Sequence, residues 1–98
     1  MKKINSLSIV VPIYNEELNL QRLHSEIIQF KKQTEIVVEI IYVNDGSKDK
    51  TLSVLEEFTD CKIINLTRNY GQTPAIAAGI SNATGEYVTF VDGDGQNP

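Results

Sequence analysis

The sequence predicts an α/β fold: an open parallel sheet in the strand order 3-2-1-4 with helices on both faces. Four short apolar, β-branched segments alternate with three stretches of helical character. Near-continuous apolar runs suit strands covered on both faces, as in a parallel sheet. Regular β-α alternation implies right-handed crossovers rather than hairpins. A chain of 98 residues holds one modest core, burying roughly two-thirds of its unfolded surface, so a second domain is ruled out.

The first strand is read over 7–11, Leu-Ser-Ile-Val-Val. A helix over 16–32 follows, with Leu20, Leu23, Ile27 and Phe30 along one face. Asn15 is its expected cap, and Glu16 and Glu17 suit the positive end of its dipole. The second strand covers 37–43. The second helix covers 48–58, with Ser47 as N-cap and Leu52, Leu55 and Phe58 facing inward. The third strand is 63–66. The third helix, 73–82, is rich in small residues (Ala75, Ala77, Ala78, Gly79) that allow close approach to a sheet. Gly85 breaks the chain before the last strand, 87–91. That strand is expected to be an open edge, on which two copies can pair as a homodimer, and the chain reads as the first half of a longer domain.

With 41% hydrophobic and 22% charged residues, the composition is that of an ordinary soluble globular chain. Nine basic against thirteen acidic residues give a net charge of −4. The basic residues are scattered, so nucleic acid is excluded as a partner, because that affinity needs clustered cations. The single cysteine, Cys61, forms no internal disulfide and fits a reducing compartment. No apolar run approaches the roughly 18–20 residues that span a bilayer. The start Met1-Lys2-Lys3 leads to no cleavage site, so a cytoplasmic, unprocessed chain is expected.

Ligands of open parallel sheets bind beyond the carboxyl ends of the strands, where this sequence collects its polar residues. The first strand ends in Pro12-Ile13-Tyr14-Asn15-Glu16 and the second in Asn44-Asp45-Gly46-Ser47. The third ends in Thr67-Arg68-Asn69-Tyr70-Gly71 and the fourth in Asp92-Gly93-Asp94-Gly95-Gln96. Glu16, Asp45, Asp92 and Asp94 are thus expected on one rim. Converging carboxylates repel one another, and a divalent ion resolves the repulsion. Oxygen donors specify Mg²⁺ or Mn²⁺ rather than zinc. Each feature also has a plain reading. Asp92-Gly93-Asp94-Gly95 suits a turn, Ser47 a helix cap, Glu16 a dipole carboxylate and Tyr14 a surface ring. His24, mid-helix, reads as solvated and Cys61 as an inert small residue.

Taken together, the motifs resemble the N-terminal half of a family 2 glycosyltransferase of the GT-A fold. They are Pro12-x-Tyr14-Asn15-Glu16, Asp45-Gly46-Ser47-x-Asp49-x-Thr51 and the pair Asp92-x-Asp94. Leu66-x-Arg68-Asn69-x-Gly71, Ala78-Gly79-Ile80-x-x-Ala83-x-Gly85-Glu86 and Asp92-x-Asp94-x-Gln96-x-Pro98 resemble its polyprenyl-phosphate branch, typified by dolichol-phosphate mannose synthases. The resemblance implies that residues 1–98 are the nucleotide-sugar-binding half of a transferase domain. Pro12, Tyr14, Glu16 and Val43 would line the nucleotide pocket, with Tyr14 against the base and Asp45 accepting hydrogen bonds from it. Asp92 and Gly93 would contact the sugar nucleotide, Asp94 and Gln96 would hold the metal on the diphosphate, and Arg68 would contact phosphate or sugar. The acceptor implied is a polyprenyl phosphate or glycan at the cytoplasmic face of a membrane. Acceptor recognition and catalytic residues would lie beyond residue 98, leaving these 98 residues inactive alone.

The branch commonly has Asp where Asn44 sits, Ala and Leu where Gly93 and Gly95 sit, and Asp where Asn97 sits. The alternative is a non-catalytic α/β fragment, separable by titration with nucleoside diphosphates. A phosphoacceptor receiver domain would need an aspartate after the third strand, where Asn65-Leu66-Thr67-Arg68 stands. A dinucleotide-binding domain would need Gly-x-Gly-x-x-Gly after the first strand, and that turn is missing.

Overall fold

The computed structural model describes residues 5–92. Its elements run β1 (Ser6–Ile13), α1 (Leu20–Gln33), β2 (Val37–Asn44), α2 (Thr51–Leu55), β3 (Lys62–Asn65), α3 (Gln72–Ser81) and β4 (Tyr87–Phe90). The four strands are parallel in the order β3-β2-β1-β4, as the alternation of apolar runs predicts.

Side-chain parity divides the core between the two faces of the sheet. In β1 and β2, Ile9, Val11, Ile13, Val38, Ile40 and Tyr42 pack with Leu20, Leu23 and Ile27 of α1 and Leu55 of α2. The alternate residues Val10, Ile41 and Val43 pack with Ala75 of α3. Each large aliphatic chain fully buried here contributes about 1.5–3 kcal/mol relative to exposure. The α3 face works by proximity instead. A methyl on Gly79 would lie 2.3 Å from Cγ1 of Val10, so only a residue without Cβ lets the helix sit this close.

The helix starts differ from expectation. Helix α1 begins at Leu20 rather than at 16, because Asn15 takes a left-handed conformation (φ 51°) and does not cap it. Ser47 likewise caps nothing: its Oγ accepts the Asn15 amide at 2.9 Å, and α2 begins only at Thr51. Phe30 remains 44% exposed, beside an apolar groove it lines with Leu7, Ile9 and Val91. His24 is not simply solvated. Its ring stacks on Phe58 at 3.9 Å, its Nδ1 lies 2.7 Å from the buried Tyr42 hydroxyl, and burial pushes its pKa down against the opposing pull of Asp60. Cys61 packs against the same core, where burial, and then Asp60, push its thiol up. No helix among the described residues is long and apolar enough to cross a membrane.

At the amino ends of the strands a polar staple anchors β4. Glu39 of β2 accepts from the Ser8 hydroxyl at 2.7 Å, the Thr84 amide at 2.9 Å and the Thr84 hydroxyl at 3.0 Å, and it pairs with Lys62 at 2.6 Å. Ser8 Oγ in turn accepts the Gly85 amide at 2.9 Å. Desolvation alone would raise the Glu39 carboxyl, but Lys62, Ser8 and Thr84 together hold it down at about 2. Beyond the staple β4 is an edge strand, with Tyr87, Val88 and Phe90 all exposed.

Two outcomes are expected. Gly79→Ala destabilises by about 1–3 kcal/mol through overpacking, measured by urea denaturation, and Val10→Ala in the same chain recovers part of the loss. The Glu39 carboxyl is held below its usual 4.5, so its contribution is complete above that value and is lost as pH falls towards about 2. Glu39→Gln flattens the acid limb of stability against pH over that window.

Candidate functional site

The carboxyl ends of β1 and β2, Asp92 two residues past β4, and the start of α3 surround a cleft of about 270 Å³. Pro12, Tyr14, Glu16, Asp45 and Asp92, all singled out from sequence, line it. Ile13, Asn69, Gly71 and Gln72 complete the wall. Among these, Asn69 and Gly71 belonged to a recognisable motif but had no assigned role, and Gln72 carried no signal at all.

Asp45 is the organising residue. It is buried, at 4% exposure, directly after β2. Its Oδ1 accepts the Tyr70 amide at 2.8 Å, while Oδ2 accepts the Gly71 amide at 2.9 Å and Asn69 Nδ2 at 3.2 Å. Asn69 Nδ2 also reaches the Asp45 carbonyl at 3.3 Å. A carboxylate offers about four acceptor sites, so these three donors leave one lone pair, on Oδ1, for a ligand. Gly46 makes the junction possible. It has φ +69°, and a Cβ there would fall 2.3 Å from the Arg68 carbonyl carbon and 2.5 Å from the Asn69 nitrogen.

Three of the four carboxylates expected on one rim, Glu16, Asp45 and Asp92, fall among the described residues. Glu16, Asp45 and Asp92 do share the cleft, but no group of three or more acidic, histidine or cysteine side chains among the described residues is arranged to hold a metal. The buried Asp45 carboxylate is compensated by the amide donors of Asn69, Tyr70 and Gly71. Gly93, Asp94 and Gln96 lie outside the described residues.

Two further residues fall elsewhere. Val43 is fully buried under α3 and does not reach the cleft. This follows from the pleat, which turns its side chain to the same face as Ile41. Arg68 lines a neighbouring cleft of about 530 Å³, with Lys48, Asn44 and Asn65, and its guanidinium lies 5.0 Å from the centre of the Tyr70 ring. Tyr14 and Asn69 border both clefts. Asn44 serves structure: its Nδ2 donates to Asn65 at 3.1 Å and its Oδ1 accepts the Ser47 amide at 3.3 Å. An aspartate at this position could not make the first of these bonds.

The 14–17 loop, which carries Tyr14 and Glu16, is tied to the loop after β2. Asn15 Oδ1 accepts the Lys48 amide at 2.8 Å, returning the bond from the Asn15 amide to Ser47. Thr51 Oγ1 accepts the Glu16 amide at 2.9 Å, and Asp49 Oδ2 accepts the Glu17 amide at 3.4 Å. Partial desolvation favours a raised Asp49 carboxyl, but bonds from Thr51 and Glu17 hold it below the ordinary range. Glu16 also accepts from Asn19 Nδ2 at 3.1 Å.

Residues 8–98 match the sequence model of Glycosyl transferase family 2. The chain belongs to that family. It is 44% identical, over 99% of its length and 31% of the relative's, to an undecaprenyl-phosphate 4-deoxy-4-formamido-L-arabinose transferase of Proteus mirabilis. Among solved structures it is similar to S. aureus TarS in complex with UDP, at 29% identity and TM-score 0.81, over 91% of this chain and 27% of that one. It is also similar to a mannosyltransferase of Pyrobaculum calidifontis in complex with GDP-Man and Mn²⁺, at 26% identity and TM-score 0.80, over 90% and 27%. The chain spans about three-tenths of the length of the curated relatives it matches.

Replacing Asp45 tests the junction. Asp45→Ala leaves the Tyr70 and Gly71 amides without their acceptor and is expected to destabilise by about 1–3 kcal/mol. Hydrogen exchange at those two amides should accelerate, while exchange at Val10 and Ile41 in the central strands rises only as far as the loss of global stability requires.

Proposed function

We propose that this chain is the donor-binding part of a glycosyltransferase that moves a sugar from a nucleoside diphosphate to a polyprenyl phosphate. The observation that carries the reading is the cleft itself, in which Pro12, Tyr14, Glu16, Asp45 and Asp92 converge at the carboxyl ends of the strands. A parallel sheet binds ligands at this end, and the names of the relatives supply the chemical class: an undecaprenyl-phosphate sugar transferase and complexes with UDP and GDP-Man. On this reading the chain is one part of a longer domain, working at the cytoplasmic face of a membrane with further catalytic residues supplied elsewhere in that domain.

In the reaction, the bond between the anomeric carbon and the diphosphate oxygen breaks, and an oxygen of the lipid phosphate forms the new one. The acceptor is already anionic and needs little help from a base. Negative charge collects on the departing nucleoside diphosphate, where a bound divalent cation supplies electrostatic stabilisation. Asp94 and Gln96 are assigned to that cation, being oxygen donors suited to Mg²⁺ or Mn²⁺. Asp92, at the cleft, is assigned to the sugar nucleotide with Gly93 beside it. Tyr14, 41% exposed, offers a ring face on which a base can stack. The spare lone pair of Asp45 Oδ1 can accept a base N–H, and Pro12 and Glu16 close the wall. Arg68, from the neighbouring cleft, is assigned to a phosphate or sugar oxygen.

Titration calorimetry of the chain with UDP and with GDP, each with Mn²⁺, tests this directly. Saturable binding of one of them, weakened when the metal is removed by chelation, is expected. Absence of binding for both nucleotides leaves only a family fold without donor affinity and overturns the proposal.

A further inference from the structure

Building on the donor-binding role of the cleft, we propose that Thr51 is a positioning residue. Its hydroxyl sets the 14–17 loop so that Tyr14 and Glu16 form the cleft wall, and Asp49 sets the direction of that hydroxyl.

Thr51 is fully buried at the start of α2 and lines neither cleft. Its Oγ1 lies 2.5 Å from Asp49 Oδ1 and 2.9 Å from the Glu16 nitrogen. A carboxylate only accepts, so the hydroxyl proton points at Asp49 and a lone pair faces the Glu16 N–H. The orientation has no second solution. Asp49 is itself locked, because the Thr51 amide donates to Oδ1 at 2.9 Å and the Glu17 amide to Oδ2.

Packing does little to hold the loop. Tyr14 and Asn15 are exposed, and Asn15 sits in the left-handed region that non-glycine residues enter at a cost. Polar bonds from the neighbouring loop therefore decide where Tyr14 and Glu16 stand. Thr51 supplies the one that reaches Glu16, and it is the only fully buried member of the set, where a lost partner is felt most.

The test compares Thr51→Val, which keeps the shape and removes the hydroxyl, with Thr51→Ser, which restores it. Affinity for the nucleoside diphosphate is measured with Mn²⁺, well below each variant's melting temperature, alongside amide hydrogen exchange. Thr51→Val should bind about tenfold more weakly and exchange the Glu16 amide faster, with β2 and α3 amides unchanged; Thr51→Ser should recover both. Asp49→Asn should move both readouts the same way, and it stands in if Thr51→Val does not fold. A purely structural role would lower the melting temperature and leave the folded chain's affinity intact. Affinity in Thr51→Val within about twofold of the parent, or unchanged exchange at Glu16, overturns the positioning role alone. If the parent binds neither UDP nor GDP, the donor-binding reading falls first, and unchanged Glu16 exchange in Thr51→Val separately overturns the loop placement.

Discussion

A carboxylate buried at the end of a central strand must find donors, and most of this site follows from how Asp45 finds them. The sheet brings its side chain to the carboxyl rim, and the Tyr70 and Gly71 amides with the Asn69 carboxamide meet it there. Those donors belong to the segment between β3 and α3. Satisfying one charge therefore fixes the start of α3 relative to the end of β2. Gly46 allows the two backbones to approach, and Asn69, Gly71 and Gln72 are brought to the cleft by the same contacts.

The two faces of the sheet stabilise the fold by different means. On one side, α1 and α2 bury branched aliphatic chains against odd-numbered residues of β1 and even-numbered residues of β2. On the other, α3 contributes small residues and lies so near β1 that Gly79 admits no side chain. The thin layer on that side brings the first turn of α3 down to the rim, where Gly71 and Gln72 face the cleft. A bulkier helix would stand further out and leave Asp45 without two of its donors.

Much of this was legible in the residues. Strand order, both helical faces and the location of the site follow from apolar alternation and from polar residues clustered where the strands end. What escaped sequence reading depends on partners far apart in the chain. Asn15 and Ser47 satisfy local rules for helix caps, yet they bond to each other's loops across 32 positions. His24 falls on a polar stretch of α1, and only the fold brings Phe58 and Tyr42 against its ring. The donors that hold Asp45 were not legible either, because two of them are backbone amides, which leave no trace in composition. Val43 shows the opposite case: the resemblance places it in the pocket wall, but the pleat turns it inward under α3.

The loops at the two ends of the sheet differ in what they can tolerate. Between α1 and β2 the connection is short and held by local bonds, from the Thr34 amide to the Phe30 carbonyl and from the Ile36 amide to the Thr34 hydroxyl. At the rim, by contrast, the segments after β1 and β2 are interlocked residue by residue through Asn15, Ser47, Asp49 and Thr51. Insertions and deletions should therefore accumulate among homologues at the former connection, whereas lengthening either rim segment by even one position would slip the interlock out of register. Splicing or permutation of this scaffold belongs at the α1–β2 connection, remote from the cleft.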